Sequence, residues 1–322
     1  MTRYLDTIPK PWTRTDIETA IFRSFTDAKA AIEETEEGKL WRSIQELEDS
    51  VWILNINISD LIDEISLFAE RSQSPSFWYE AEGCAAEQHT RAVKRRLFNC
   101  TTSVMSLVDH ARNFERKTPV PDYKNQLTTH FSTPGIHAFL QDLRNYNSHW
   151  RIAQSNWIIS LGPTFEGRRA RFVVQKKELL AWSGWTTKAK EYIEVSVDPI
   201  DLHELFFTYR EHVHSFYSWH RGAVYSKYSV EIQQYLQYKR NYEGISKMHD
   251  WNTTISHLPK DLNPFQYINQ YLSKSSIERV LSLPHRSKEQ VDAIISLMDM
   301  DEFCSSALRK KTYALFGVAD EA

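Results

Sequence analysis

Apolar residues recur at alternating steps of four and three along residues 40–68 of this chain. The positions are Leu40, Ile44, Leu47, Val51, Leu54, Ile58, Leu61, Ile65 and Phe68. This is the a/d spacing of a helix that packs lengthwise against another helix. It predicts one helix that is roughly 40 Å long, given the rise per residue of an α-helix. Ile53, Ile56 and Ile62 lie off this seam, and we expect them to widen its apolar face.

Similar patterns predict helices on both sides of the seam. Thr15 and Glu18 have the spacing of a capping box, which favours a first helix from there to about Glu36. A further long helix is predicted over residues 77–116. One face of its second half carries Leu97, Cys100, Val104, Leu107, Ala111 and Phe114. The basic run at residues 91–96 is typical of a solvated helix face.

The middle of the chain predicts a loop, a short helix and a hairpin. Residues 117–134 predict the loop, and a capping threonine before a proline predicts a helix from Pro134 to about Trp150. Residues 151–160 and 168–175 are rich in Ile, Val, Trp and Phe and flank a turn-forming Leu-Gly-Pro-Thr-Phe-Glu-Gly segment. This pattern predicts a β-hairpin.

Further elements are expected towards the C-terminal end. A short third strand is predicted at residues 192–197, and Asp198 followed by Pro199 predicts the start of a long helix that ends near Arg240. Beyond residue 251 the predicted helices are shorter, and Ser287-Lys-Glu-Gln290 forms another capping box.

Together these elements predict a mainly α fold. We expect an antiparallel helical bundle with an inserted β-hairpin and a small C-terminal helical appendage. Residues 1–250 would form the bundle, with an N-terminal helical extension and with the hairpin at about residues 151–176. Residues 251–322 would form the appendage.

Composition narrows the classes of function. The formal net charge of −3 excludes a general nucleic-acid coating protein, so any RNA contact must be local. Nine glycines in 322 residues argue against a Gly-rich phosphate loop. The three cysteines form no Cys-x-x-Cys pair, which disfavours a zinc ribbon and a disulfide framework. With no signal-peptide pattern and no long apolar run, we expect a soluble, cytoplasmic protein without a membrane segment, metal or cofactor.

One segment, residues 141–150, places Arg144, Asn145 and His149 on the same short helix. Asn145 and His149 are four residues apart and therefore share a face. Arg144 and His149 point roughly 140° apart on an ideal helix. They converge best if the helix ends or distorts near Trp150, or if a second copy of the chain completes the site.

These three residue types suit RNA cleavage without a metal ion. A histidine can take a proton from a ribose 2′-hydroxyl or give one to the leaving oxygen. An arginine presents fixed donors to a phosphate whose negative charge grows in the transition state. An asparagine can orient the histidine or hold a phosphate oxygen without adding charge. The expected products carry 2′,3′-cyclic phosphate and 5′-hydroxyl ends.

The spacing of Arg144, Asn145 and His149 resembles the R-x4-6-H motif of the HEPN superfamily, in which Asn, Asp or His often follows the arginine. A looser similarity covers Leu97-Phe-Asn99 and residues 107–112, so the resemblance spans roughly residues 77–240. It implies a helical bundle with metal-independent endoribonuclease activity in a toxin–antitoxin, phage-defence or RNA-processing system. It also implies an RNA substrate, a homodimer in which two motifs meet in one cleft, and an antitoxin or activator as a possible protein partner.

Three alternatives remain open at this point. The chain could be a non-catalytic HEPN-like module that binds RNA, a nucleotide or a protein. It could instead be an unrelated helical interaction protein that oligomerises through the 40–68 seam. Arg144 and His149 could also be no more than favourable cations in the last turn of a helix.

Other polar groups are secondary candidates. A basic cluster on the predicted hairpin, near Trp157 and Phe172, could contact RNA through charge and stacking, although charge on an exposed edge strand is an equal alternative. Its members are Arg168, Arg169, Arg171, Lys176 and Lys177. A possible second polar shell near the motif comprises Asp109, His110 and Arg112. His212 and His214 point roughly 200° apart on a helix, which disfavours a shared metal ion with His220.

Overall fold

The computed structural model describes residues 2–79, 85–150, 153, 155–160, 169–259 and 262–319. The chain divides into two compact units. Unit 1 joins Met1–Lys39 to Val230–Ala322, and unit 2 comprises Leu40–Ser229. The borders of these compact units follow Lys39 and Ser229. The predicted domain boundary at residue 250 stays a prediction.

The described residues form a mainly α fold with a small antiparallel sheet, which confirms the predicted fold class. The helices are α1 (Arg14–Arg23), α2 (Phe25–Glu33), α3 (Glu36–Arg71), α4 (Pro75–Tyr79), α5 (Ala85–Lys117), α6 (Tyr123–His130), α7 (Ile136–His149), α8 (Lys176–Leu180), α9 (Thr187–Val195), α10 (Leu202–Lys227), α11 (Ser229–His257), α12 (Lys274–Leu281), α13 (Lys288–Leu297) and α14 (Ser306–Phe316). The strands are β1 (Asn156–Ser160), β2 (Arg169–Val174) and β3 (Ile200–Asp201). Short 3-10 helices lie at Tyr4–Thr7 and Pro264–Gln270.

The apolar seam lies on the single long helix α3, as its spacing predicts. Seven seam residues are at most 6% exposed: Ile44, Leu47, Leu54, Ile58, Leu61, Ile65 and Phe68. The expectation for the off-seam isoleucines is wrong in two cases, because Ile53 is 47% and Ile56 is 44% exposed. The other two seam residues, Leu40 and Val51, are partly exposed, so most of the seam is buried within the fold rather than presented as an oligomerisation surface.

The first predicted helix is two helices. The capping residues are Thr13 and Asp16, two positions earlier than the Thr15 and Glu18 pair, and they bond to each other's backbone N–H groups. Ser24 then adopts an extended conformation, and its hydroxyl accepts a hydrogen bond from the Asp27 N–H. This second N-cap ends α1 and begins α2.

Helix α5 packs against α3 in unit 2. The Cys100 thiol donates to the Asn57 carbonyl, at 3.1 Å. The buried Glu64 carboxylate accepts from His89 Nδ1 at 2.5 Å and pairs with Arg96 at 2.8 Å. One arginine of the basic run is therefore bound to α3, whereas Arg91 is exposed.

The hairpin is confirmed, and of its two aromatic residues Phe172 belongs to the core and Trp157 is partly buried. Strands β1 and β2 are antiparallel, with Trp157 opposite Phe172. Phe172 is fully buried, and its ring centroid lies 4.8 Å from that of Phe68. Trp157 packs on Trp78, with ring centroids 4.9 Å apart. Phe172 is thus unable to stack on an RNA base. The predicted turn at residues 161–167 lies outside the described residues.

Two expectations after the hairpin are wrong. The segment predicted as a third strand is largely helix α9, on which Ala189 and Ile193 are buried four residues apart. The third strand is β3, which pairs with Val173 and Val174 of β2. The second expectation concerns the start of the long helix, which the sequence predicts at Asp198. Asp201 supplies the N-cap of α10 instead, because its carboxylate accepts from the His203 N–H at 2.9 Å.

Unit 1 has its own apolar core around α12, α13 and α14. Ser287 caps α13 as predicted, accepting from the Gln290 N–H at 3.1 Å. The Gln290 side chain returns a contact by accepting from the Arg286 N–H at 2.8 Å. The predicted Ser287 cap is therefore confirmed, whereas the reciprocal bond of a capping box, from the Ser287 N–H to Gln290, is replaced by one from the Arg286 N–H.

Candidate functional site

Helix α7 has one apolar and one polar face. Its apolar face packs against α5 and α9 through five residues that are at most 1% exposed: Ile136, Phe139, Leu140, Leu143 and Tyr146. The other face is partly exposed at His137, Gln141, Arg144 and Asn145. At the C-terminal end, Ser148 and His149 are exposed. The period of the helix thus leaves the predicted motif on the accessible side.

Two buried polar side chains anchor the end of α7 that carries the motif. Asp142 accepts from both the backbone N–H and the hydroxyl of Thr186, each at 2.7 Å. Asn147 donates to the Thr101 hydroxyl at 3.3 Å and accepts from the Ala153 N–H at 2.9 Å. Since these bonds tie α7 to neighbouring segments on two sides, the backbone of the motif is held before any ligand binds.

Arg144 and Asn145 are brought together, and His149 is not. A guanidinium N–H of Arg144 donates to Asn145 Oδ1 at 3.2 Å. Within the described part of the chain, no hydrogen bond joins His149 to either residue. Helix α7 ends at His149, with Trp150 as its C-cap, and no distortion before this end draws Arg144 and His149 towards each other. The imidazole is nevertheless exposed rather than enclosed by apolar packing.

The position of His149 also agrees with a purely structural role. It lies in the last turn of α7, where a cation interacts favourably with the free carbonyls of the helix end. This role does not explain why Arg144, one turn further back, bonds to Asn145 on the accessible face.

The structure adds His137 to the polar face of α7. Gln141 Nε2 lies 3.0 Å from His137 Nε2, and His137 Nδ1 lies 2.9 Å from the Tyr209 hydroxyl. Burial, with a smaller effect of the Arg112 charge, lowers the pKa of His137 to about 4, so the ring is neutral. Because the Gln141 amide donates to Nε2, the proton of the ring lies on Nδ1 and is donated to Tyr209. The i, i+4 spacing of His137 and Gln141 is visible in the sequence. The contact with Tyr209 is not, because Tyr209 lies on the distant helix α10.

The basic cluster of the hairpin is only partly described. Arg171 is exposed, and its guanidinium lies 3.7 Å from the Asp201 carboxylate. Lys176 Nζ donates to the carbonyls of Glu194 and Ser196, at 2.6 and 2.8 Å, so this ammonium group binds the end of α9. Lys177 is exposed, and Arg169 lies on β2. Arg168 lies outside the described residues. An RNA contact by this cluster stays a prediction.

The expected second polar shell is not assembled around the motif. His110 Nδ1 lies 2.5 Å from the Ser50 hydroxyl of α3, and Asp109 and Arg112 form an exposed pair 3.7 Å apart. Of these three residues, only Arg112 affects α7, because its positive charge contributes to lowering the pKa of His137.

The histidines of α10 are separated from one another. His212 Nε2 lies 2.8 Å from the Thr133 hydroxyl, His214 is exposed and His220 is buried. Among the described residues, no group of three or more His, Cys, Asp or Glu side chains is arranged to hold a metal ion.

Comparison of the chain with protein-family models, curated proteins and solved structures found no match. None of the helices within the described ranges has both the length and the apolar content needed to cross a bilayer. The motif of α7 and its surroundings therefore remain the features that point to a function.

Proposed function

We propose that the chain is a HEPN-like endoribonuclease that cleaves RNA without a metal ion. The observation that supports this proposal is the anchoring of α7. Its buried Asp142 and Asn147 hold the helix, while Arg144, Asn145 and His149 remain accessible to a ligand. A helix end that is fixed in this way, with three RNA-cleaving residue types on its open side, suits a catalytic surface.

Each residue has a distinct role in the proposed reaction. Arg144 binds the phosphate and stabilises the charge that develops on it. Its bond to Asn145 restrains the guanidinium and leaves the Asn145 amide N–H groups available to a phosphate oxygen. His149 accepts the proton of the ribose 2′-hydroxyl or protonates the leaving 5′-oxygen.

We further propose that the active form is a homodimer. Arg144 and His149 diverge by roughly 140° on a regular helix, so one copy surrounds a phosphate poorly. In a symmetric dimer, Arg144 of one copy can face His149 of the other across a shared cleft. A role in toxin–antitoxin or defence systems, and an antitoxin or activator partner, follow from the resemblance alone.

RNA cleavage in EDTA tests the proposal directly. Purified full-length protein is incubated with total RNA beside His149→Ala, Arg144→Ala and, as a matched control, Ser148→Ala, which changes an exposed neighbour. We expect the first two variants to lose activity at least about a hundredfold and the control to retain it. New ends should be 2′,3′-cyclic phosphates. Equal cleavage by all variants would remove these residues from the mechanism, and RNA binding without cleavage by the unmodified chain would favour the non-catalytic module.

Mixing the two inactive variants tests the shared cleft. If each site takes Arg144 from one copy and His149 from the other, a mixed dimer has one intact site. After exchange of subunits, roughly a quarter of the original activity should return, because half of the dimers are mixed. No return of activity, with subunit exchange demonstrated, would contradict the shared site.

A further inference from the structure

A cavity of about 460 Å³ lies between α5, α6, α7 and α10 of unit 2. Its apolar wall includes Leu107, Ala111, Leu127, Phe131 and Val213. The volume is within the range of pockets that bind small organic ligands, roughly 300–1,000 Å³. The cavity is distinct from the motif at the C-terminal end of α7, since it involves the first turn of that helix.

Four uncharged polar side chains line this mostly apolar space: Tyr123, His137, Tyr209 and Tyr217. His137 and Tyr209 bond to each other and are neutral, because burial lowers the pKa of the histidine and raises that of the phenol. Burial also raises the pKa of Tyr217 well above its ordinary value. Within the described residues, no side chain or backbone group forms a hydrogen bond with the Tyr217 hydroxyl. This phenol is therefore available to bond a ligand in the cavity.

The rim of the cavity is positively charged. Arg112, Arg116 and Lys124 contribute three cations, and Glu115 contributes the one carboxyl group among the lining residues. Glu115 accepts from the Val120 N–H, and burial raises the pKa of its carboxyl group. A cationic rim on a chain with a net charge of −3 selects a ligand with an anionic group.

From this combination we infer that the cavity is a nucleotide-binding site. The base lies against the ring of Phe131 and bonds to the Tyr217 hydroxyl, while the phosphate meets Arg112, Arg116 and Lys124. A planar ring with polar edges suits the aromatic, weakly polar interior, and the phosphate suits the rim. The ligand is either a free mononucleotide or one nucleotide of a bound RNA strand.

The assignment of the ligand to a nucleotide of a bound RNA strand rests on the proposed function. His137, Gln141 and Arg144 follow one another at steps of four and three on one face of α7, which places the cavity wall roughly 10 Å along the helix from Arg144. A base near the cleaved phosphate can therefore enter the cavity, which would give the enzyme its base preference. The free-nucleotide source does not depend on cleavage.

Isothermal titration calorimetry of the full chain with AMP, CMP, GMP and UMP tests the site, with inorganic phosphate as the anion-only probe. We expect at least one nucleotide to bind. Arg112→Ala and Lys124→Ala should each weaken binding roughly tenfold, and Tyr217→Phe, which removes only the hydroxyl, roughly threefold to tenfold. Arg91→Ala removes an exposed cation of the same helix α5 and should leave affinity unchanged. Unchanged melting temperatures verify that the variants are folded.

The same variants in a His149→Ala background, titrated with short RNA oligonucleotides, separate the two sources. Weaker RNA binding assigns the cavity to the RNA strand, and mononucleotide binding with unchanged RNA affinity assigns it to a free nucleotide. The inference is overturned if the variants alter neither affinity, or if inorganic phosphate binds as well as any nucleotide. None of these titrations requires RNA cleavage. A failure of the ribonuclease proposal, seen as absent cleavage, is therefore distinguishable from a failure of this inference, seen as absent or unchanged binding.

Discussion

The buried imidazole of His220 should make the fold sensitive to mild acid. This residue is 3% exposed on α10, and the rings of Phe114, Tyr123 and Phe216 surround it with centroids 5.5–5.9 Å away. Its Nε2 atom has no hydrogen-bond partner among the described residues. Burial lowers the pKa of His220 to about 4, from an ordinary value of 6.5.

The sign of the effect follows from where the proton binds. Between pH 6.5 and about 4 the unfolded chain protonates His220 and the folded chain does not. The free energy of unfolding is therefore unaffected by this group above pH 6.5, and it falls as the pH is lowered towards 4. From pH 7 to pH 5 the loss is about 2 kcal/mol for His220. His137, whose pKa is lowered to a similar value, should add a comparable loss.

Urea denaturation at about pH 7 and pH 5 measures this loss. His220→Leu should lose about 2 kcal/mol less than the unmodified chain between the two pH values. His214→Leu, which removes an exposed imidazole from the same helix, is the matched control. If His220→Leu shows the same pH dependence as the unmodified chain, the imidazole is not held neutral by the fold and the reasoning is refuted.

Three further predictions concern packing and anchoring, each measured as the free energy of urea unfolding. Gly244→Ala should destabilise unit 1 by about 1–3 kcal/mol, because the new Cβ would overlap the Phe303 ring. Gly222→Ala meets nothing within 4 Å and should stabilise the helix by about 0.5–1 kcal/mol. Asp142→Ala should cost about 1–3 kcal/mol, since two donors lose their acceptor. Leu54→Ala, at a fully buried seam position, should cost about 3–5 kcal/mol.

Each of these outcomes can be contradicted by a simple comparison. Equal effects at the two glycines would mean that the space at Gly244 is not closed. An Asp142→Ala chain as stable as the original would show that the α7 anchor contributes nothing. A Leu54→Ala effect no larger than that of the exposed Ile53→Ala would contradict the assignment of the buried face of α3.

The sequence alone determined the elements whose signals are local. The alternating steps of residues 40–68 specify a helix and its buried face, since a regular helix returns each such residue to one side. The hairpin and the Ser287 cap depend on neighbouring residues and were likewise predictable. The motif of α7 was visible for the same reason, because Asn145 and His149 share a face by spacing alone.

The tertiary structure decided what each side chain meets. Val195 and Val197 favour a strand by type, yet both are more than 80% exposed, and the burial of Ala189 and Ile193 four residues apart stabilises a helix instead. A lysine is a residue type that suits an RNA contact, but the ammonium group of Lys176 donates to a backbone carbonyl at the end of α9.

The partners of the polar face of α7 also come from the tertiary structure. Tyr209 reaches His137 across 72 residues of chain, and the cavity beside them combines residues from four helices. Periodicity specifies a direction on one helix, whereas a site requires the packing of several, and packing depends on side chains that are distant in sequence.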